Sequence, residues 1–347
     1  MHEHALRTIL LIQAVEESDI KGELLPLAER AEATQNVVRA DADVRDAFAG
    51  DALSRAGERL LARRAAHLLE RLRLRAPITE KLLAVAGGSG ASNGLLGVAL
   101  LTGVLLAVIN GRGYIDILGY ALLGLLAWNL LVYVLLIANR VRPRALSGAG
   151  MARLYARWLA SRASAQLRRS RSFNAPLGAA LPRFATDWGA LSQALVMQRA
   201  KRIFHMCAAL VAVGFIAGLF VRGEVLRDQA AWSGSFFGAA IVRVFLRLLY
   251  GPAAASCGIA LPPATQDVEA LHVTSASGGG AALPWIYLIA LTVTLYIIVP
   301  RALAAATASL QLWQIGRRMA VPASVVPYAR RTFLAPPAAP ALGDTPI

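Results

Sequence analysis

His205 and Cys207 stand two positions apart, one imidazole and one thiol in an otherwise apolar stretch. Both are good zinc ligands, but a metal centre needs three or four donors at fitting spacing. The other histidines (His2, His4, His67, His272) and Cys257 lie far away in sequence, so neither a metal site nor a structural disulfide is expected. The run AVAGGSGASNG at 84–94 looks like a phosphate loop, yet no Lys-Ser/Thr follows it. It reads instead as a flexible lead into an apolar helix, with Asn93 as a candidate cap. Asn129 sits within an apolar run, where a carboxamide glues helices together at about 0.6–2 kcal/mol. Gly214 and Gly218 form a GxxxG pattern that lets two helices approach closely. Serine, histidine and aspartate do not converge on one predicted face. No catalytic group and no cofactor is therefore expected, and the chain does not read as an enzyme.

The elements that must carry these residues are apolar runs at 82–111, 117–139, 203–221 and 273–299, the last beginning with small and polar residues up to Ala281. Each supplies the roughly 20 apolar residues that cross about 30 Å of hydrocarbon. The chain is 56% hydrophobic and 16% charged over 347 residues, more apolar and less charged than soluble domains of this size. The expected fold is an all-α integral membrane protein with four transmembrane helices. It has a cytoplasmic helical segment at 1–81, a hairpin of two spans at 82–139 and a basic loop at 140–202. Span 3 follows at 203–221, an exterior segment with an interfacial helix at 222–280, span 4 at 281–299 and a tail at 300–347.

Charge sets the orientation. Residues 1–81 carry thirteen Lys/Arg and fourteen Asp/Glu, and 140–202 carry thirteen Lys/Arg against Asp187 alone. Residues 222–272 carry four of each, and the tail holds five arginines, Arg301 among them, against Asp344. The Lys/Arg bias places both termini and the central loop in the cytoplasm. No span holds an acid or base at mid-depth, which argues against an ion pathway.

Apolar residues Leu53, Leu60, Leu61, Ala65, Leu68 and Leu72 make a helical stripe within 41–75, with Asp51 as a candidate cap. Arg63, Arg64, Arg71, Arg73 and Arg75 cluster on the same helix. They read either as a surface for anionic lipid or a partner, or as a solvated face paired with Glu58 and Glu70. Arg153, Arg157, Arg168 and Arg169 extend the basic surface over 151–169, where 151–167 fits an amphipathic helix on the inner leaflet. A breaker-rich link is expected at 172–182, before a helix that runs into span 3. Aromatic stacking platforms are missing around Tyr155 and Trp158, so no nucleic acid is expected. The exterior stretch 230–250 has apolar residues interrupted only by Arg243 and Arg247, which suits an interfacial or re-entrant helix or a cap on the bundle.

Three stretches carry a family resemblance: RTILL at 7–11 with Glu16-Glu17, then GLFVRG at 218–223 followed by AWSGSF at 231–236, and PWI at 284–286 with VPR at 299–301. In these the chain resembles the bacterial domain-of-unknown-function family 2868. That resemblance implies an inner-membrane protein and a GTPase-like partner. The function expected is a non-enzymatic membrane anchor or scaffold that presents cytoplasmic helices to a soluble partner. The alternative is a subunit of a homo-oligomeric channel or transporter, with Asn129 or the Gly214/Gly218 face at a pore.

Overall fold

The computed structural model describes residues 1–39, 44–48, 50, 52–88, 92–109, 113–141, 157, 161, 175–234, 237–275 and 278–334. These are mostly helical. They divide into two compact units: Met1–Gly90, Leu146–Met197 and Gln311–Ile347 form a charged unit, and Ala91–Ala145 with Gln198–Leu310 form an apolar unit.

The charged unit is built round α1 (Glu3–Ser18), whose Leu6, Ile9, Leu10, Leu11, Ile12 and Val15 are buried on almost every side. A helix apolar all round needs neighbours on all sides. They are α2 (Leu27–Arg39), the short α3 (Val44–Ala47), α4 (Arg55–Arg75) and α5 (Ile78–Ala86), with the start of α8 (Ala175–Phe220) and the C-terminal helix α13 (Val325–Leu334). The start of α4 is capped by Ser54, whose Oγ accepts from the Gly57 N–H at 3.1 Å. Asp51 lies outside the described residues. Leu60, Leu61, Ala65, Leu68 and Leu72 of the expected stripe are buried, and α4 packs on α1 and α2.

Two boundaries differ from the sequence expectation. The apolar run at 82–111 is split: Leu82, Leu83 and Ala86 belong to α5 in the charged core, and α6 begins only at Ser92 (Ser92–Ile109). The link expected at 172–182 is helical from Ala175. Pro176 falls in the first turn of α8, where its missing N–H costs nothing, and Leu177, Leu181, Phe184 and Trp188 are buried in the charged core. The Trp188 indole donates to the Ala86 carbonyl at 3.1 Å. Core burial here outweighs the helix-breaking tendency of Pro182.

The apolar unit contains α6, α7 (Tyr120–Val141), the end of α8 with its π-turn at Val221–Val225, α9 (Ala239–Cys257) and α10 (Thr265–Ala270). It also contains α11 (Ala282–Val293), which passes through a π-turn at Thr294–Ile298 into α12 (Val299–Arg317). Among the described residues, Tyr120–Ala138, Ala175–Val225, Ala239–Cys257 and Ala282–Arg317 are long and apolar enough to cross a membrane; Asn93–Ile109 is a shorter apolar helix. The helix of the fourth apolar run continues past Pro300-Arg301 to Arg317.

Strands β1 (Tyr114–Asp116) and β2 (Gln229–Ala231) pair in parallel, and Ala230 and Trp232 bridge to Gly280 and His272. The segments expected on the exterior are thereby tied into one cap. Tyr250 of α9 donates to the Ile117 carbonyl, and the Trp232 indole donates to that of Val268 at 2.8 Å. Arg222 is buried in the same cap, paired with Asp228 at 2.6 Å and donating to the Tyr114 carbonyl.

Candidate functional site

Within the apolar unit, three helices place polar side chains round one cation. Arg301, in the first turn of α12, is 0% exposed. Its Nε donates to Asn129 Oδ1 of α7 at 2.8 Å, and its Nη1 donates to His205 Nδ1 of α8 at 3.1 Å. Arginine has no acceptor, so His205 takes this bond only with its proton on Nε2. The guanidinium carbon lies 5.2 Å from the Tyr133 ring centroid and 5.3 Å from that of Phe204, between two aromatic faces. Asn129 also donates its Nδ2 to the Leu125 carbonyl at 2.8 Å, which fixes its flip state.

The backbone explains why α12 opens here. Pro300 has no N–H to offer the Tyr296 carbonyl four residues back, and the helix widens into its π-turn just before it. Tyr133 Oη donates to that freed carbonyl at 3.0 Å. One α7 side chain therefore satisfies the proline defect and also supports Arg301. The sequence puts Arg301 just beyond the end of span 4, in the tail; the helix runs past residue 299 and buries Arg301 among its neighbours. Among the described residues the partners of Arg301 are neutral, and its Nη2 has no hydrogen-bond partner.

Gly214 and Gly218 lie against α6. A Cβ on Gly214 would stand 2.1 Å from the Leu100 carbonyl oxygen, and one on Gly218 2.6 Å from Ala107 Cβ. Gly103 completes the contact from the α6 side, where a Cβ would stand 2.0 Å from the Val211 oxygen.

The basic residues of α4 separate sharply. Arg64 is not a surface residue. It is 3% exposed, its two Nη atoms pair with Glu16 at 2.7 and 3.1 Å, Nη1 reaches Tyr328 Oη at 2.9 Å, and Nε reaches Thr34 at 2.8 Å. Burial opposes its charge, but Tyr328 and Glu16 outweigh burial and hold its pKa above the ordinary value. Burial first, then Glu16, pushes the Tyr328 hydroxyl up. Arg71 pairs with Glu29 and Glu32, Arg73 with Glu70 and Arg75 with Glu29. The hydrogen bonds from Arg75 hold Glu29 below the ordinary carboxylate range. Arg63 is exposed and without an ion pair among the described residues. Arg157 is exposed and helical; Arg153, Arg168 and Arg169, with most of the helix expected at 151–167, lie outside the described residues.

Among the described residues no three His, Cys, Asp or Glu gather round one metal position. A cavity of about 80 Å³ beside Arg222 and Asp116 has room for a few water molecules, not an organic substrate. Imidazole meets hydroxyl at His4–Thr8 and His272–Thr274, each within one turn of chain. The residues that the sequence left out of the site are Arg301, Tyr133 and Phe204. A signal for them was present: the Pro300-Arg301 step within continuous apolar character. Compared with protein-family models, curated proteins and solved structures, the chain gives no match.

Proposed function

We propose that the chain is a non-enzymatic membrane anchor that carries its charged unit on the cytoplasmic side and offers it to a soluble partner. The observation behind this is the contrast between the two surfaces. The apolar unit exposes Leu101, Ile109, Trp128, Leu135, Val244 and Leu248 among many others, whereas among the described residues of the charged unit the large apolar side chains exposed are Ile20, Leu27, Leu74, Trp313 and Leu334. Apolar surface on that scale calls for lipid. The charged unit has its own core and internally paired charges, as a water-facing domain requires.

In this proposal α6, α7, the end of α8 and α11 cross an inner membrane with both termini in the cytoplasm, as the Lys/Arg bias favours. Helix α6 is 18 residues long, about 27 Å at 1.5 Å per residue. Helix α9 stays on the exterior in this reading, and the tie between the ends of its segment supports that: Trp232 exchanges backbone hydrogen bonds with Leu271 and Val273. Its return, 258–264, is irregular and contains Pro262 and Pro263, and such backbone is not tolerated in contact with lipid.

The soluble partner is the GTPase-like protein that the resemblance to family 2868 implies. Sedimentation tests this: that protein should pellet with membranes containing the full chain and stay in the supernatant with membranes lacking it. Equal partitioning in both would overturn the proposal. The uncompensated Arg301 favours a second function, an oligomeric anion pathway. Anion flux into liposomes holding the full chain, abolished by Arg301→Gln, would support it; liposomes with no flux would remove it.

A further inference from the structure

Arg317, the last residue of α12, and Arg318 just after it lie in the charged unit as two adjacent exposed guanidiniums with no ion pair among the described residues. The Arg317 guanidinium carbon lies 4.5 Å from the ring centroid of Trp313, one turn earlier. A guanidinium stacked on a ring keeps the N–H groups at its edge free, which suits bidentate bonding to an oxyanion. Two adjoining recesses open at this point and share both arginines. One, of about 630 Å³, is lined by His2, Trp313, Gln314, Arg317 and Arg318. The other, of about 540 Å³, adds Arg55 and Glu58. Arg55 is the first residue of α4, so the positive end of that helix adds to the field. Three arginines therefore face a single lining carboxylate, Glu58, which itself lies 3.5 Å from the Met1 amino group.

The space is of the size that holds small molecules, yet its walls are cationic rather than apolar. We propose that this recess binds a phosphate-bearing anion, either the headgroup of an anionic phospholipid or a soluble phosphate ester. Guanidinium donors match phosphate oxygens in number and geometry, and the Trp313 ring offers a face for the attached carbon skeleton. The proposal does not depend on the anchoring function.

The test uses the full chain, purified in neutral detergent and stripped of lipid. It is titrated separately with glycerol 3-phosphate, with phosphatidylglycerol in mixed micelles and with phosphatidylcholine as the zwitterionic control. Arg317→Gln/Arg318→Gln should weaken binding at least about tenfold, since each lost charge-assisted hydrogen bond is worth about that factor. Arg59→Gln/Arg63→Gln removes the same charge from exposed positions outside the recess and should change binding less than twofold. Arg55→Gln is the second, milder variant, with an expected loss of about threefold, and it keeps the test open if the double variant unfolds. Binding of phosphatidylglycerol alone assigns the site to lipid, and binding of both ligands assigns it to phosphate esters in general. Binding of neither, or equal weakening by the control pair, overturns the proposal.

Discussion

Consecutive helix residues point about 100° apart, and at Arg63 and Arg64 that rotation separates solvent from core. Arg64 links four helices through Glu16, Thr34 and Tyr328. Arg64→Ala would leave the Glu16 carboxylate buried without its cation, at a cost of about 3–5 kcal/mol; Arg63→Ala should stay within about 0.5 kcal/mol. Thermal unfolding of the two variants in detergent checks the pair, and similar midpoints would refute this account of the core. A charge count sees two equal arginines. The difference lies in partners 48 and 264 positions away, which no local pattern encodes. Asp19 behaves likewise. Burial would raise its pKa, but N–H groups of Leu25, Glu23 and Leu24 and the Arg30 guanidinium outweigh burial and bring it below the ordinary 3.8. A depressed pKa means that Asp19 contributes its stability fully above the unfolded value and loses it as pH falls through the folded one. The charged unit should therefore weaken on acidification below about pH 4. Asp19→Asn should lower stability at pH 7 and flatten that acid limb; an unchanged limb would count against it.

At the scale of elements, the α6–α8 contact depends on missing side chains. The GxxxG spacing pointed to Gly214 and Gly218, while Gly103, which does the same from the opposite helix, lies in the weaker small-residue spacing Ala99, Gly103, Ala107. Gly97 and Gly124 meet nothing within 4 Å of a Cβ, so glycine in an apolar helix is not by itself a contact signal. Gly214→Ala should cost about 3 kcal/mol, the upper end for overpacking against backbone, whereas Gly97→Ala should gain about 0.5–1 kcal/mol of helix stability. Unfolding midpoints of the detergent-solubilised variants separate these outcomes. The α7–α8–α12 contact rests on polar groups instead. Asn129 was legible as interhelical glue because a carboxamide in an apolar run needs a partner. Its partner was not, because Arg301 falls past residue 299, in the segment that the charge pattern assigns to the cytoplasmic tail. If Asn129 and Arg301 act as one unit, Asn129→Leu should lose most of its destabilising effect in an Arg301→Met background. A coupling of about 0.5–3 kcal/mol is expected, and strict additivity would show the contact to be incidental.

For the whole molecule, composition revealed the apolar helices but not how the units share the chain. The charged unit gathers the N-terminal residues, the first part of α8 and the C-terminal helix; the apolar run at 203–221 marks where α8 enters the other unit, but nothing in hydropathy shows that residues from both ends of the chain share one core. Hydropathy also cannot decide what α9 does. By length and composition it ranks with the spanning helices, yet Val242, Leu246, Tyr250 and Ala253 are buried within the unit while Ile241, Val244, Phe245 and Leu248 face outward. That two-sidedness, the tie between Trp232 and Leu271, and Arg243 donating to the Pro263 carbonyl at 3.0 Å support the proposed hairpin, which leaves and returns on one side. Cys257 ends α9 and is exposed, and Cys207 is half-buried. In a Cys207→Ala chain, a membrane-impermeant maleimide added to intact cells stripped of the outer envelope should label Cys257 from outside. If α9 crossed the membrane, Cys257 would sit in the cytoplasm and react only in inverted vesicles. Labelling confined to inverted vesicles would therefore make α9 a spanning helix, reverse the orientation of every later segment and place Arg317 and Arg318 across the membrane from His2 and Arg55, which line the same recess.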